Sequence, residues 1–307
     1  MAETSVVIPC YNYGRFLASA IDSVFAQQHP TVEVIVVDDG STDATPAVAA
    51  RYPEVRYLRQ RNLGESEARN HGAAEATGEF ILFLDADDQL TPEAISTSVQ
   101  HLRGQPTCAF AYGHQQFVDT EGSVLPSNPE RTRMFQTCLR EADVYAYMLR
   151  MNYPLRAPGA VLYRAEIVRR IGGFAPEFRT GADLDLNLRI AREHRVCCND
   201  RVVLLTRIHG ANATANSRMM LQGAVRVQRR QRPYVDQHPE YEGHYEKGLR
   251  LARSYWGAHL AQQIAADVGT GKIGSAARGL WTMARFAPSE GALAAGRLLL
   301  KKARRTS

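Results

Sequence analysis

The 307-residue chain has no CxxC pair, and its five cysteines, Cys10, Cys108, Cys138, Cys197 and Cys198, are odd in number. That argues against a disulfide framework and against a thiolate zinc site, and it suits a reducing cytosol. No apolar run reaches about 18 residues, so no segment is expected to span a bilayer. The first residues lead into a strand-like run, SVVIP, and no signal peptide is expected. Internal repeats, low-complexity stretches and the basic-aromatic stripe of a nucleic-acid binder are also missing. Charge of one sign is scarce: 37 Lys and Arg against 32 Asp and Glu leave +5. Such a mild excess does not choose between an anionic small molecule, a membrane surface and nucleic acid. A hydrophobic content of 45% and a charged content of 22% are ordinary, and 307 residues make one large or two small domains.

What is present first is alternation. Val6–Pro9, Val32–Val37, Val55–Leu58 and Phe80–Leu84 read as strands. Between them, Phe16, Leu17, Ala20, Ile21, Val24 and Phe25 mark one helix face. Further helices are expected after Ser41 and Asp43, over Glu65–Ala76, and over Pro92–Leu102 with Thr91 as its cap. Strand-helix alternation at this spacing predicts βαβ units, and continuous apolar strands such as VEVIVV suit a sheet covered on both faces. In such sheets ligands lie beyond the carboxyl ends of the strands. The polar clusters fall at that edge: Tyr11 and Asn12, Asp38 and Asp39, Asp85 and Asp87. Beyond residue 105, a hairpin over Phe110–Leu125, a strand at Gly159–Tyr163, helices over Ala165–Ile171 and Asp183–His194, and a strand at Val202–Ile208 are expected. Helices follow from about Met219.

The stretch FILFLDADDQLTP ends a buried strand in three carboxylates with no nearby Lys or Arg. Crowded carboxylates raise one another's pKa and are costly to desolvate. Two readings fit: a solvated loop whose acids cap the next helix, or a divalent cation held by oxygen ligands.

SVVIPCYN, VEVIVVDDGSTDAT, NLGESEARNHGAAEATGEFILFLDADD, APGAVLYRAEIVRRIGGF, GADLDLNLRIA and TRIHGANAT, in that order, resemble family 2 glycosyltransferases with the GT-A fold. The resemblance covers roughly Thr4–Thr214. It implies an α/β fold of GT-A (Rossmann-like) type, a mostly parallel sheet flanked by helices, with a helical C-terminal extension. Residues 1–215 would be the transferase domain, with a nucleotide-binding half (1–104) and an acceptor-binding half (105–215), and 216–307 a helical region. The implied activity is an inverting transfer from a UDP- or dTDP-sugar to an acceptor hydroxyl with Mn²⁺ or Mg²⁺.

The resemblance also assigns residues, each beside a plainer reading. Tyr11 would stack on the base, or be a half-buried core tyrosine. Asp39 would accept from the uracil ring, or help start the next helix with Asp38; Pro9 and Asn12 would fix the surrounding loop. Arg69 would neutralise phosphate or orient the acidic strand end, or be a solvated helix Arg. Asp85 and Asp87 form a DxD element, whose i, i+2 spacing on a strand puts both on one face. Asp87 would bind the cation, and Asp85 the ribose or the cation through water; Asp88 suits a cap of the next turn. His209 would complete the metal or phosphate shell, or be structural. Asp183 matches the catalytic base, or is a helix-start acid; Asp185 is such an acid, or orients Arg189. The family's usual Glu before that base is here Ala182, which leaves acceptor binding open.

The implied partners are a nucleotide-sugar donor and a carbohydrate or lipid-linked acceptor, without nucleic acid. The basic-apolar C-terminal stretch suits a helix packed on the protein or on a second subunit, or a peripheral contact with the inner membrane face of a cytoplasmic protein. A DxD phosphatase and a non-catalytic nucleotide-sugar module are the alternatives. The phosphatase needs its acids on an early strand, where this chain has PCYN.

Overall fold

The computed structural model describes residues 3–28, 31–126, 143–151, 157–210 and 216–289. They fall into two compact units, one within Met1–Tyr145 and Tyr153–His209, the other within Ala146–Asn152 and Gly210–Ser307. The basic C-terminal end and the ANAT stretch after Gly210, both read from the sequence, lie outside the described residues.

The first unit is built on a mixed eight-stranded sheet in the order β3-β2-β1-β4-β7-β6-β8-β5. The strands are β1 (Thr4–Cys10), β2 (Val32–Asp38), β3 (Arg56–Arg59), β4 (Phe80–Phe83), β5 (Gln89–Leu90), β6 (Cys108–Val118), β7 (Val161–Arg164) and β8 (Arg195–Arg207). The helices are α1 (Gly14–Phe25), α2 (Thr45–Ala49), α3 (Glu65–Glu75), α4 (Ala94–Gly104), α6 (Ala165–Arg170) and α7 (Ala182–Ala191); α5 (Val144–Met151) joins the second unit from Ala146. β1 is buried throughout and lies parallel between β2 and β4. The chain grows from β1 to β2 and β3, then crosses back to β4 on the other side of β1. That reversal is the point at which open sheets of this kind offer a crevice.

Pro9 shows how the crevice is tolerated inside a central strand. Cys10 O accepts from Asp39 N, so even-numbered residues of β1 face β2; Val7 O accepts from Leu84 N, so odd-numbered ones face β4. The β1–β4 pairing ends at Val7–Phe83. Pro9, which has no N–H to give, therefore points where β4 has already left the ladder.

β7 runs antiparallel to both β4 and β6, and β8 runs parallel to β6. The carboxyl ends of β1, β2, β4 and β8 therefore share one edge. The expected hairpin forms: Asp119 and Gly122 turn the chain, and Leu125 N donates to Phe117 O at 2.8 Å. The helix after the acidic stretch begins at Ala94, not at Pro92, and Thr91 does not cap it. The Thr91 hydroxyl donates instead to Val202 O at 2.8 Å, next to the unexpected β5–β8 pair. α3 lies against β1 and β2 because Gly72 has no side chain; a Cβ there would come within 2.3 Å of Val7 Cγ1.

The second unit is helical: α8 (Ser217–Arg230), α9 (Arg232–Gln237), α10 (Glu242–Gly269) and α11 (Ile273–Phe286). Its interior includes Leu221, Val225, Trp256, Leu260, Ile264, Met283 and Phe286. Gln228 Nε2 donates to Leu149 O at 2.9 Å and ties α8 to α5. Among the described residues, no helix is long and apolar enough to cross a membrane.

Candidate active site

The loop after β1 is braced on the loop after β2. Asn12 takes a positive φ of 57°, a conformation that Asn tolerates better than most residues. Its N–H donates to Ser41 Oγ at 2.9 Å, and its side-chain oxygen accepts from Thr42 N at 2.8 Å. Tyr11, beside it at the sheet edge, is 47% exposed. Asp38 is the turn residue, accepting from Ser41 N and the Tyr57 hydroxyl. Asp39 is nearly fully buried and holds the chain between β3 and α3: it accepts from Gln60 Nε2, Leu63 N and Gly64 N, each at 2.8 Å. Two bonds fall on Oδ1 and one on Oδ2, so the carboxylate keeps acceptor capacity.

The acidic stretch is not an extension of β4. The strand stops at Phe83, and residues 85–88 turn, with Asp88 N donating to Asp85 O at 3.0 Å. The expected alternation on a strand therefore fails, and the turn sends Asp85 and Asp87 to different partners. Asp85 Oδ1 accepts from Arg69 Nη2 at 2.7 Å; Asp87 Oδ2 lies 2.9 Å from His209 Nε2. Asp88 does not cap the next turn. It is buried, accepts from Arg207 N at 3.0 Å, and ties the turn to the end of β8.

Arg69 is not a solvated helix residue: it is 4% exposed and its Nη2 bridges Asp85 and Glu65, each at 2.7 Å. Its guanidinium also lies over the Phe174 ring, 5.1 Å from the centroid. Burial works to lower its pKa, but Glu65 and Asp85 outweigh this and hold it above the usual arginine value. Asn70, the next residue, is structural, pairing through both side-chain atoms with the Phe174 backbone.

His209 is held from three sides. Its ring stacks on Phe16 (4.9 Å between centroids), approaches Tyr13 (5.7 Å) and meets Asp87. Gly181, in the left-handed region at φ 80°, precedes α7, which has Asp183 in its first turn. Burial pushes the Asp183 carboxyl up to about 6, with Asp85 adding to the rise and Arg69 opposing it. Asp185 orients Arg189, accepting from its Nε at 2.8 Å, while the rest of that guanidinium grips the carbonyls of Ile171 and Gly173.

Two groups escaped sequence reasoning. Glu65 sits four residues before Arg69, and its side chain is 52% exposed. The surrounding protein pushes its carboxyl up to about 7, Arg69 pulls it down, and Asp85, Asp183 and Asp87 push it further up. The i, i+4 spacing with Arg69 was the available signal. Arg207 is buried under the acidic turn, and donates to the carbonyls of Asp87, Asp119 and Thr120. Its place two residues before His209 gave no hint of this.

The structure thus brings Arg69, Asp85 and Asp183, with Glu65, into one electrostatic group, joined to Asp87 and His209. Tyr11, Asn12 and Asp39 sit at the neighbouring strand ends. Burial and then Asp85 hold the Asp87 carboxyl above its ordinary value, against His209; Asp88 is raised in the same way. Such a cluster has more negative charge than Arg69 and Arg207 offset, which fits a hard cation. No trio of His, Cys, Asp and Glu is gathered as a metal cage among the described residues. Mg²⁺ and Mn²⁺ do not need one where one or two carboxylates share the ion with substrate phosphates. Asp87 and His209 are the donors that fit.

At the switch point of the sheet, an acid-lined strand edge thus holds an arginine clamped between two carboxylates. The profile of glycosyl transferase family 2 matches residues 5–172, and the chain belongs to that family. An uncharacterized glycosyltransferase of Nostoc sp. is 44% identical over 219 residues, covering 68% of this chain and 66% of the relative. Succinoglycan biosynthesis protein ExoO of Rhizobium meliloti is 35% identical over 167 residues, covering 53% of this chain and 44% of the relative. The chain thus spans less than two thirds of the length of these relatives. Among solved structures, S. aureus TarS 1-349 in complex with UDP superposes with a TM-score of 0.54 at 15% identity, covering 93% of this chain and 91% of that one. A mannosyltransferase from Pyrobaculum calidifontis in complex with GDP-Man and Mn²⁺ gives 0.58 at 18% identity, covering 95% and 86%. These likenesses show that the fold is the GT-A fold.

Proposed function

We propose that the protein transfers a sugar from a nucleotide-diphosphate donor to an acceptor hydroxyl with inversion of configuration. The observation that carries this is the Arg69 bridge between Glu65 and Asp85, set beside the Asp87–His209 pair and within electrostatic reach of Asp183. The nucleotide-binding half is residues 1–104 and the acceptor-binding half 105–215, with the helical region after them.

Tyr11 offers its exposed ring to the base. Asp39 uses its remaining acceptor capacity for the ring N–H shared by uracil and thymine, so UDP- and dTDP-sugars are the expected donors. UDP binding by TarS is in keeping with this. Asp85, oriented by Arg69, takes the ribose. Asp87 and His209 would hold Mn²⁺ or Mg²⁺, which would supply charge neutralisation for a diphosphate leaving group; the Mn²⁺ complex of the mannosyltransferase is a parallel. Asp183 takes the proton of the acceptor hydroxyl as that oxygen bonds to the anomeric carbon. The bond from that carbon to the phosphate oxygen breaks, and the diphosphate leaves with the electron pair. General-base help of this kind is typically worth roughly 10² to 10⁴-fold. The acceptor is a carbohydrate or a lipid-linked saccharide, and the setting is the cytoplasm.

The test is nucleotide release and product anomer with UDP- and dTDP-sugars in Mn²⁺, with a panel of saccharide acceptors. Release of UDP or dTDP with an inverted product is expected. Retention of configuration, or no release from any donor, sinks the reading.

A further inference from the structure

Helix α11 turns an unusual face to solvent. Its buried side, through Ala276, Gly279, Thr282, Met283 and Phe286, packs on α10, where Ile264 lies in the groove over Gly279. The opposite side exposes Ile273 (62%), Leu280 (45%) and Trp281 (59%), with Ala277 and Ala284 between them. At 100° per residue these five positions fall on one stripe. Arg278 and Arg285 are also exposed and lie along one edge of that stripe, with Lys272 just before the helix. The Arg285 guanidinium lies 5.4 Å from the Trp281 ring centroid. Between Ile273 and Ser289 there is no acidic residue at all.

A surface helix ordinarily puts polar side chains outward. Here the outward face offers apolar, aromatic and cationic groups and nothing else, the pattern of a helix that lies in a bilayer interface. We infer that the outward face of α11 docks the protein on an anionic lipid surface, with Leu280 and Trp281 entering the headgroup region and Arg278 and Arg285 meeting lipid phosphates. Charge complementarity selects this occupant: acidic headgroups neutralise the cations of this helix, whereas a second copy of the face brings further cations and no acid to pair with them. The inference is independent of the transferase reading and is read out without turnover.

The chain has two tryptophans, of which Trp256 is already buried and Trp281 is exposed. Its fluorescence therefore reports the α11 face. The 307-residue chain is mixed with vesicles of phosphatidylcholine, or of phosphatidylcholine with ~30% phosphatidylglycerol. The expected results are a blue shift and flotation with the anionic vesicles alone, both weakening as salt rises from ~0.1 to ~0.5 M. The Leu280→Glu, Trp281→Glu double variant changes only exposed positions. It should keep its melting temperature and bind vesicles about tenfold more weakly or worse. Equal flotation of parent and variant overturns the inference. So does a blue shift that needs no vesicles and grows with protein concentration, which would mark self-association.

Discussion

At the scale of single residues, Arg69 is shared between two acids, and Asp183 is one of several carboxyls that their surroundings raise. Asp183→Asn should lower transfer by roughly 10² to 10⁴-fold while leaving donor affinity near the parent's, as separated by steady-state rates and calorimetry. Because its carboxyl is pushed up to about 6, the parent's rate should fall as pH drops below that value, where the base is protonated. An unchanged acid limb in Asp183→Asn would remove the assignment. Arg69→Gln leaves Asp85 and Glu65 facing each other without a cation. Breaking a well-buried pair costs about 3–5 kcal/mol, but both acids still meet water. A loss of about 1–3 kcal/mol is therefore expected by denaturant titration, with Arg69→Lys recovering only part of it. The resemblance pointed to Asp183, Arg69 and His209, since each lies in a quoted motif. Glu65 lies in the same motif as Arg69, and its i, i+4 spacing was legible, but nothing local shows that α3 delivers it next to acids 20 and 118 residues further on, at Asp85 and Asp183.

At the scale of elements, apolar runs made the parallel strands readable, and burial of β1, β2 and β4 is what those runs require. Antiparallel β7 in the middle of the sheet could not be read, because a four-residue apolar strand carries no sign of its direction. β8 also extends back to Arg195, through a stretch in which Cys197 and Asn199 are buried but Arg195, Asp200 and Arg201 are exposed and read as loop. The start of α4 was misjudged because Thr91, a good cap by its chemistry, gives its hydroxyl to β8. Gly72 tests the packing of α3 on the sheet. Gly72→Ala improves helix propensity, yet its methyl would press on Val7 and Val37. A net loss of about 1–3 kcal/mol is expected in urea unfolding. A gain in stability would mean that α3 can move away at little cost.

On the scale of the whole molecule, the acid cluster couples stability to pH. Asp183, Asp87 and Asp88 titrate above ordinary carboxylates, and Glu65 does so to an extent tempered by solvent. The folded state therefore holds these protons more tightly than the unfolded state does. The resulting stability is present below about pH 4 and is lost as pH rises through about 6 to 7. A cation bound at Asp87 and His209 should act in the opposite direction. Mn²⁺ should thus raise the melting temperature clearly at pH 7.5 and little at pH 5. Equal shifts at both values would place the ion elsewhere, and His209→Ala should blunt the shift at pH 7.5.

The Asp87–His209 contact joins positions 122 residues apart in the chain. Ring closure over such a span is entropically slow, and it rewards the chain only once β6, β7 and β8 are already paired. During synthesis, a ribosome would have to release nearly the entire first unit before the two side chains could meet. Refolding from urea should therefore regain far-ultraviolet circular dichroism ahead of nucleotide affinity, with a lag set by the last strand to join.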